Sequence, residues 1–377
     1  MLFKNASLFL DGRFVPGAFR VEDGRFAAIY DADPAENGID LGGAKVIPGL
    51  IDVHSHGNSG ADFSDGDYDG LCRMAAYYAK NGITSFAPAS MTLPYETLAA
   101  AFATAKRLHE ETPAGCARLL GIQMEGPFFS EKKKGAQNGE YLRLPDFEAF
   151  QKLYEGCGGL VRIADVAPEL PGAADFIREA SKLCTVSVAH TDASYEDAKA
   201  AFEAGASHVT HLFNAMPPIH HRKPGVIGAA AEREDVVAEV ISDGQHLHPS
   251  VVRMAFRLFP GRVCLISDSL RCCGMPDGEY ELGGQQVFLQ GGIARLADGT
   301  IAGSATNLFE CMRRAISFGV PESEAITAAT LTPAREIGAD ALVGSLSVGK
   351  HADFVVCDKD LNALSVWLGG TKLEEHA

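Results

Sequence analysis

Between about residue 50 and residue 340 the sequence alternates short apolar, β-rich runs with amphipathic helical stretches, and this rhythm restricts the fold more than any other feature. Alternation of strand and helix periods places helices against a parallel sheet. Eight candidate strands can be read: Leu50–His56, Thr84–Ala89, Leu119–Glu125, Val161–Ala167, Thr185–His190, His208–Phe213, Ala238–Asp243 and Val263–Asp268. Amphipathic stretches separate them, among them Tyr68–Asn81, Tyr95–Glu111 and Tyr195–Ala204; Ser194 opens the last with Asp197 three residues on, the spacing of a capping box. Eight such units close a (β/α)8 TIM barrel, an α/β fold, expected over residues 48–344.

The two ends follow another pattern. Residues 1–47 hold short alternating segments (SLFLDGRF, GAFRVEDGRFAAIY) broken by Asp-Gly turns, and SLSVGKHADFVVCD at 345–358 reads as another strand pair. Residues 1–47 and 345–377 are therefore expected to build one small β-sandwich domain beside the barrel. A third β-like stretch, Glu279–Ala302, carries Gly-Gly and Asp-Gly turns and reads as a β-hairpin insertion after the eighth strand. The 377 residues suit one large core with one accessory module.

Composition narrows the function classes. With 46% hydrophobic and 22% charged residues, the chain has the make-up of a soluble globular enzyme. The N-terminal MLFKNASLFLDGRF is interrupted too early for a signal peptide or a membrane span, so a cytoplasmic location is expected. Nine cysteines, an odd number without a CxxC pair, read as reduced thiols, and adjacent Cys272 and Cys273 read as lining residues. A net charge of −16 argues against nucleic acid or an anionic membrane as a partner. An anionic substrate would need a local cationic focus.

Reacting groups in a β/α barrel sit at the C-terminal ends of the strands. Here strand one ends in Asp52-Val53-His54-Ser55-His56, strand three in Met124-Glu125-Gly126-Pro127, strand five in Ala189-His190-Thr191-Asp192, strand six in Thr210-His211, and strand eight in Ser267-Asp268-Ser269. Alternate residues of a strand point the same way, so His54 and His56 can reach one ion. The HxH pair alone reads equally well as structural, and Glu125, His190 or His211 alone reads better as a satisfied polar group at a strand end. Placed together at one rim, they point to a divalent cation: zinc first, with iron or manganese as alternatives that His, Glu and Asp ligands also suit. Asp268 has a separate task, because amide hydrolysis requires a proton to reach the departing nitrogen and a carboxylate beside the metal can carry it.

The segments Pro48–Gly57, Glu125-Gly126-Pro127-Phe128, Ala189-His190-Thr191, Thr210–Met216 (THLFNAM) and Pro276–Tyr280 resemble those of the N-acetylglucosamine-6-phosphate deacetylases within the amidohydrolase superfamily. The likeness spans essentially the whole chain, through the terminal Gly349–Asp353 strand. HxH and the strand-eight Asp mark only the superfamily; EGPF and HLFNAM followed by HHRKPG are more specific. The resemblance implies that Glu125, His190 and His211 hold the main metal, with His54 and His56 helping to hold a second. Glu125 would then bridge, and Asp268 would act as general base and acid. It also assigns Ala136, Gln137, Asn214, Ala215, Arg222 and His246 to an amino-sugar phosphate, with Arg222 reaching across a homodimer interface. In that reading His220-His221-Arg222-Lys223 is the cationic focus; Lys132-Lys133-Lys134 is a solvated loop and His248 incidental.

One departure stands out. Many members of that family carry Lys-Lys-Gly-Ala-His-Asn after EGPF, where this chain has Lys133-Lys134-Gly135-Ala136-Gln137-Asn138. A Gln amide donates a neutral hydrogen bond and cannot become cationic. Gln137 occurring together with HxH therefore suggests that a second metal serves as Lewis acid while Gln137 positions the sugar. Three rivals stay open: a deacetylase for the galactosamine epimer, a cyclic-amide hydrolase, and a barrel that binds metal without catalysis. The cyclic-amide option usually depends on a lysine ending strand four, where this chain has Ala167-Pro168-Glu169.

Overall fold

The computed structural model describes residues 1–374, and its centre is a ring of parallel strands. We number them β1 (Leu50–Asp52), β2 (Ile83–Phe86), β3 (Ile122–Met124), β4 (Val161–Val166), β5 (Thr185–Val188), β6 (His208–Val209), β7 (Val237–Ile241) and β8 (Val263–Ile266). The strands β3 to β8 pair in sequence order, and β1, β2 and a short Arg118–Leu119 segment form a second arc. A parallel bridge between Ala89 and Gln123 joins the arcs on one side. On the other, the Asp268 N–H donates to the His54 carbonyl at 2.9 Å. The third strand is thus split, and at Gly121, between its two pieces, a Cβ would lie 2.3 Å from Arg162 Cγ, so glycine is what lets the neighbouring strand pass.

The expected strands start where the ladders start, to within about a residue in all but the split third, but each ladder stops one to four residues early. After β5, β6 and β8 the turn is at a rim residue: His190, His211 and Asp268 have φ of 42°, 30° and 48°, so the chain has left β geometry there.

Helices cover the ring as the alternation requires. Tyr95–Glu111 and Tyr195–Ala204 match their expected spans, and Ser194 and Asp197 form the reciprocal capping box. Leu50, Phe86, Val161, Val186, Val240 and Leu265 face the helices in one large core. Ile51, Val53, Ile163, Ile241 and Ile266 fill the barrel interior.

Segments from both ends of the chain share one eight-stranded sheet, in which Lys45–Pro48 pairs with Leu2–Leu10 on one side and Phe354–Cys357 on the other. Phe3 and Trp367 lie three strand steps apart in that sheet, which is about 14 Å if flat, yet their rings meet at 4.9 Å. The sheet therefore curls upon itself and encloses Phe3, Phe19, Phe26, Phe354 and Trp367. Lys45–Pro48 runs directly into β1, and Arg118 pairs with Asp353 at 3.2 Å, so this sheet is anchored to the barrel edge. After β8 a three-stranded meander spans Gly278–Leu282, Gln285–Gln290 and Ile293–Leu296. Residues 375–377 of the expected terminal segment lie outside the described residues.

Candidate metal centre and active site

Glu125, one residue past β3, is the hub of the rim. Its Oε1 lies 3.1 Å from His190 Nε2, 3.2 Å from His211 Nε2 and 3.6 Å from His54 Nε2. Its Oε2 lies 3.2 Å from His56 Nε2. Asp268 Oδ1 completes the group, 3.4 Å from His56 Nε2 and 3.7 Å from His54 Nε2. The result is two overlapping triads, His54–His56–Glu125 and Glu125–His190–His211, all buried.

The outer ring nitrogens decide which way the lone pairs face. His56 Nδ1 lies 3.2 Å from the Ala89 carbonyl and His190 Nδ1 lies 2.9 Å from the Lys133 carbonyl. A carbonyl only accepts, so each Nδ1 carries hydrogen, and the neutral ring then turns a bare Nε2 inward. His54 does the same through Nδ1 to the Glu239 carboxylate at 2.9 Å. His190 Nε2 and His211 Nε2 are only 3.1 Å apart, with a carboxylate oxygen between them. Only His211, whose Nδ1 has no partner among the described residues, could supply a hydrogen there, so the group is short of donors. A tetrahedral ion with bonds of about 2.0–2.1 Å sets its ligands roughly 3.3–3.4 Å apart, close to the spacing seen. His54 Nε2 has no hydrogen-bond partner among the described residues. The side chains fit a divalent cation.

Charge follows the same design. Burial by itself would raise Glu125, but His54 and the bonds from His190, His211 and His56 hold it well below the ordinary range of a carboxylate. Burial also pushes Asp268 upward, yet positive charge in the cluster keeps it low, whether that charge is protons on His56 and His54 or a cation held by the neutral rings. Both acids are therefore ionised at neutral pH, ready to ligate or to take a proton.

The backbone behind the rim is closely fitted. Gly126 has φ of 94°, and a Cβ there would lie 2.2 Å from Thr92 Oγ1, so the turn carrying Glu125 needs glycine. Phe129 stacks on the His190 ring at 4.5 Å. Ser267 Oγ donates to the buried Asp52 carboxylate at 2.5 Å, linking β8 to β1 directly beneath HxH.

A pocket opens above this cluster. Ala136, Gln137, Asn214, Ala215 and His246 line it together with Asp268. Gln137 is fixed at both ends: its Oε1 accepts from Thr92 N–H and its Nε2 donates to Glu125 Oε2, each at 2.7 Å. Asp243 Oδ2 accepts from His246 Nδ1 at 2.9 Å, which turns the other ring nitrogen outward. Arg222 is not brought here by its own chain. It is exposed, donates to His221 Nε2 and borders a separate recess with Asp192, Tyr195 and Glu232. Lys132 is solvated and pairs with Asp192, His248 caps the helix Pro249–Leu258, and Cys272 and Cys273 are buried beside the rim without lining the pocket.

Sequence reasoning missed the apolar wall of the pocket, Met91, Leu270 and Leu282, and the loop residues Thr300, Ile301 and Gly303. These carry no chemical signature and come together only in the fold. It also missed Glu239, although a lone Glu in the otherwise apolar run Val237–Ile241 was a visible signal.

The chain is similar to known proteins over nearly its whole length. The sequence profile of the amidohydrolase family matches residues 45–373. An N-acetylglucosamine-6-phosphate deacetylase of Vibrio furnissii is 37% identical over 355 residues, covering 93% of this chain and 88% of that protein. An N-acetylgalactosamine-6-phosphate deacetylase of Escherichia coli O157:H7 is 35% identical, with 93% of each covered. Among solved structures, a mutant N-acetyl-D-glucosamine-6-phosphate deacetylase of Mycobacterium smegmatis in complex with N-acetyl-D-glucosamine-6-phosphate superposes with a TM-score of 0.92 at 33% identity, covering 99% of this chain and 98% of that one. With a matched profile over most of its length and full-length relatives above 30% identity, the chain belongs to the amidohydrolase family.

Proposed function

We propose that the protein hydrolyses the acetamide of N-acetylglucosamine 6-phosphate, releasing acetate and glucosamine 6-phosphate. The observation that carries this reading is the convergence of Glu125, four imidazoles and Asp268 beneath a pocket lined by the Asn214-Ala215 pair. Glu125, His190 and His211 would hold one divalent cation, and His54, His56 and Glu125 a second; zinc is the first ion to test, then iron and manganese. When bound, such an ion supplies Lewis acidity, acidifying water and polarising the acetyl carbonyl.

The chain's own groups do the rest. Asp268, held ionised, accepts a proton from the attacking water and delivers it to the amine nitrogen as the C–N bond breaks. Gln137, anchored by Thr92, presents its amide beside the carboxylate hub and orients the sugar. His246, braced by Asp243, and the Asn214-Ala215 turn contact the sugar phosphate, with Ala136 closing the wall. Arg222 would meet the phosphate from the second copy of a homodimer, since it stands away from its own pocket. Nine unpaired thiols and a charged substrate that membranes retain support a cytoplasmic location. Among the described residues no helix is long and apolar enough to cross a membrane.

The test is acetate release from N-acetylglucosamine 6-phosphate, its unphosphorylated form and the galactosamine epimer, with chelated and metal-restored protein. The expected order places the phosphorylated gluco sugar first, and chelation abolishes turnover. Equal rates on phosphorylated and free sugar would remove the phosphate pocket from the proposal; activity indifferent to chelation would remove the cation.

A further inference from the structure

Glu239 stands in the middle of β7, and none of its surface reaches solvent. A buried carboxylate is costly unless donors meet it. Its Oε2 meets two: His54 Nδ1 at 2.9 Å and the backbone N–H of His211 at 3.0 Å. The first donor belongs to one metal triad and the second to the other, so a single oxygen ties both halves of the cluster to β7. The Leu212 N–H reinforces the tie, donating to the Glu239 carbonyl at 2.8 Å.

The other rim histidines are held differently. His56 and His190 lean on the neutral carbonyls of Ala89 and Lys133, and His211 Nδ1 has no partner among the described residues. His54 alone has a carboxylate behind it. Such a partner fixes the tautomer and ring plane of a ligating imidazole and makes it a stronger donor to a cation. From this contrast we propose that Glu239 is a positioning residue, which holds His54 Nε2 toward Glu125 and thereby sets the affinity of the His54–His56–Glu125 triad for its divalent cation. The inference rests on the reading of His54 and His56 as ligands. On the His211 side the bond is to backbone, which the Leu212 N–H also ties to β7, so losing the side chain bears first on the His54 ring; a merely structural Glu239 would support both triads equally.

Cobalt(II) titration followed by visible absorption, with metal content counted independently, separates these cases in the wild type, Glu239→Gln, Glu239→Leu and His54→Gln. The Gln amide oxygen still accepts from Nδ1–H; Leu offers nothing. The wild type is expected to take two equivalents. Glu239→Gln should keep both, with the weaker one loosened no more than about 10-fold, whereas Glu239→Leu should hold the first and loosen the second about 100-fold. His54→Gln, losing the same equivalent, identifies it with the HxH triad. Two undiminished equivalents in Glu239→Leu, or equal weakening of both, overturn the proposal. A wild type that takes one equivalent, unchanged by His54→Gln, overturns the ligand reading itself and the role of Glu239 with it. Should Glu239→Leu not fold, cadmium-113-substituted wild type decides: coupling to His54 through Nε2 with a proton retained on Nδ1 is required, and coupling through Nδ1 refutes it.

Discussion

Asp268 leaves β8 with φ of 48°, pinned by its own N–H to the His54 carbonyl and by the Ser304 N–H on its carbonyl at 2.6 Å. Its carboxylate is thus aimed by backbone on both sides, and substitution should change chemistry without moving the chain. Asp268→Asn keeps the shape and removes the proton acceptor. It is expected to lower kcat by about 10² to 10⁴ or more while leaving metal content and melting temperature near the wild type; a variant with undiminished acetate release would return the non-catalytic barrel as the better reading. Asp268 and the five candidate ligands were legible because in a barrel the residues just past the C-terminal end of a strand stand at the rim, and each of the six lies one to four positions past one. Glu239 and Asp52 were not assigned, because each is buried and acts through a neighbour, His54 or Ser267, that only the fold brings to it. Gln137 shows a third case. Its place in the pocket followed from motif likeness, but its bond to Glu125 Oε2 depends on Thr92, some distance away in sequence, and no local pattern encodes that.

Strand starts were readable and strand ends were not; after β5, β6 and β8 the chain turns out of β geometry at His190, His211 and Asp268. The same logic applies below the ring. The helix Leu331–Glu336 closes its lower end, and Glu336 sits 4.0 Å from His208 Nε2 there. Burial first, then the charge of Glu239, raises the Glu336 carboxyl from its ordinary 4.5 to about 8. Because the folded pKa lies above the unfolded one, its contribution to stability is fully present below about pH 4.5 and is lost as pH rises toward 8. Glu336→Gln, neutral at every pH, should therefore gain on the wild type across that window by an amount on the order of a few kcal/mol. Urea midpoints at pH 5 and pH 8.5 check this, and an identical difference at both would show that Glu336 does not titrate there. On the upper side, the inserted meander contributes Leu282, buried among Met91, Leu270, Val287 and Leu289 and also lining the pocket. Leu282→Ala is expected to cost about 2–5 kcal/mol within that local unit. Hydrogen exchange should quicken over residues 278–302 and KM should rise more than kcat falls; unchanged exchange there would detach the wall from the insertion.

At the scale of the whole molecule, the question is how a chain of net charge −16 would receive the anionic sugar proposed as its substrate. Its own rim adds carboxylates, and the Arg222 cluster is turned to solvent beside exposed Ile219 rather than toward the pocket. Arg222 borders the recess of Asp192, Tyr195 and Glu232, and the pocket lining does not include it. Two-fold pairing offers another route, because an isologous contact that brings Arg222 to the partner's pocket does the same in reverse. The consequence is complementation between dead chains. Arg222→Ala and Asp268→Asn should each be inactive or strongly impaired alone. Unfolded and refolded together in equal amounts, they should form hybrids with one complete site, Asp268 from one copy and Arg222 from the other, recovering about a quarter of wild-type activity. If Arg222 served its own chain, no site in the mixture would own both groups, and activity would stay at the level of the separate variants.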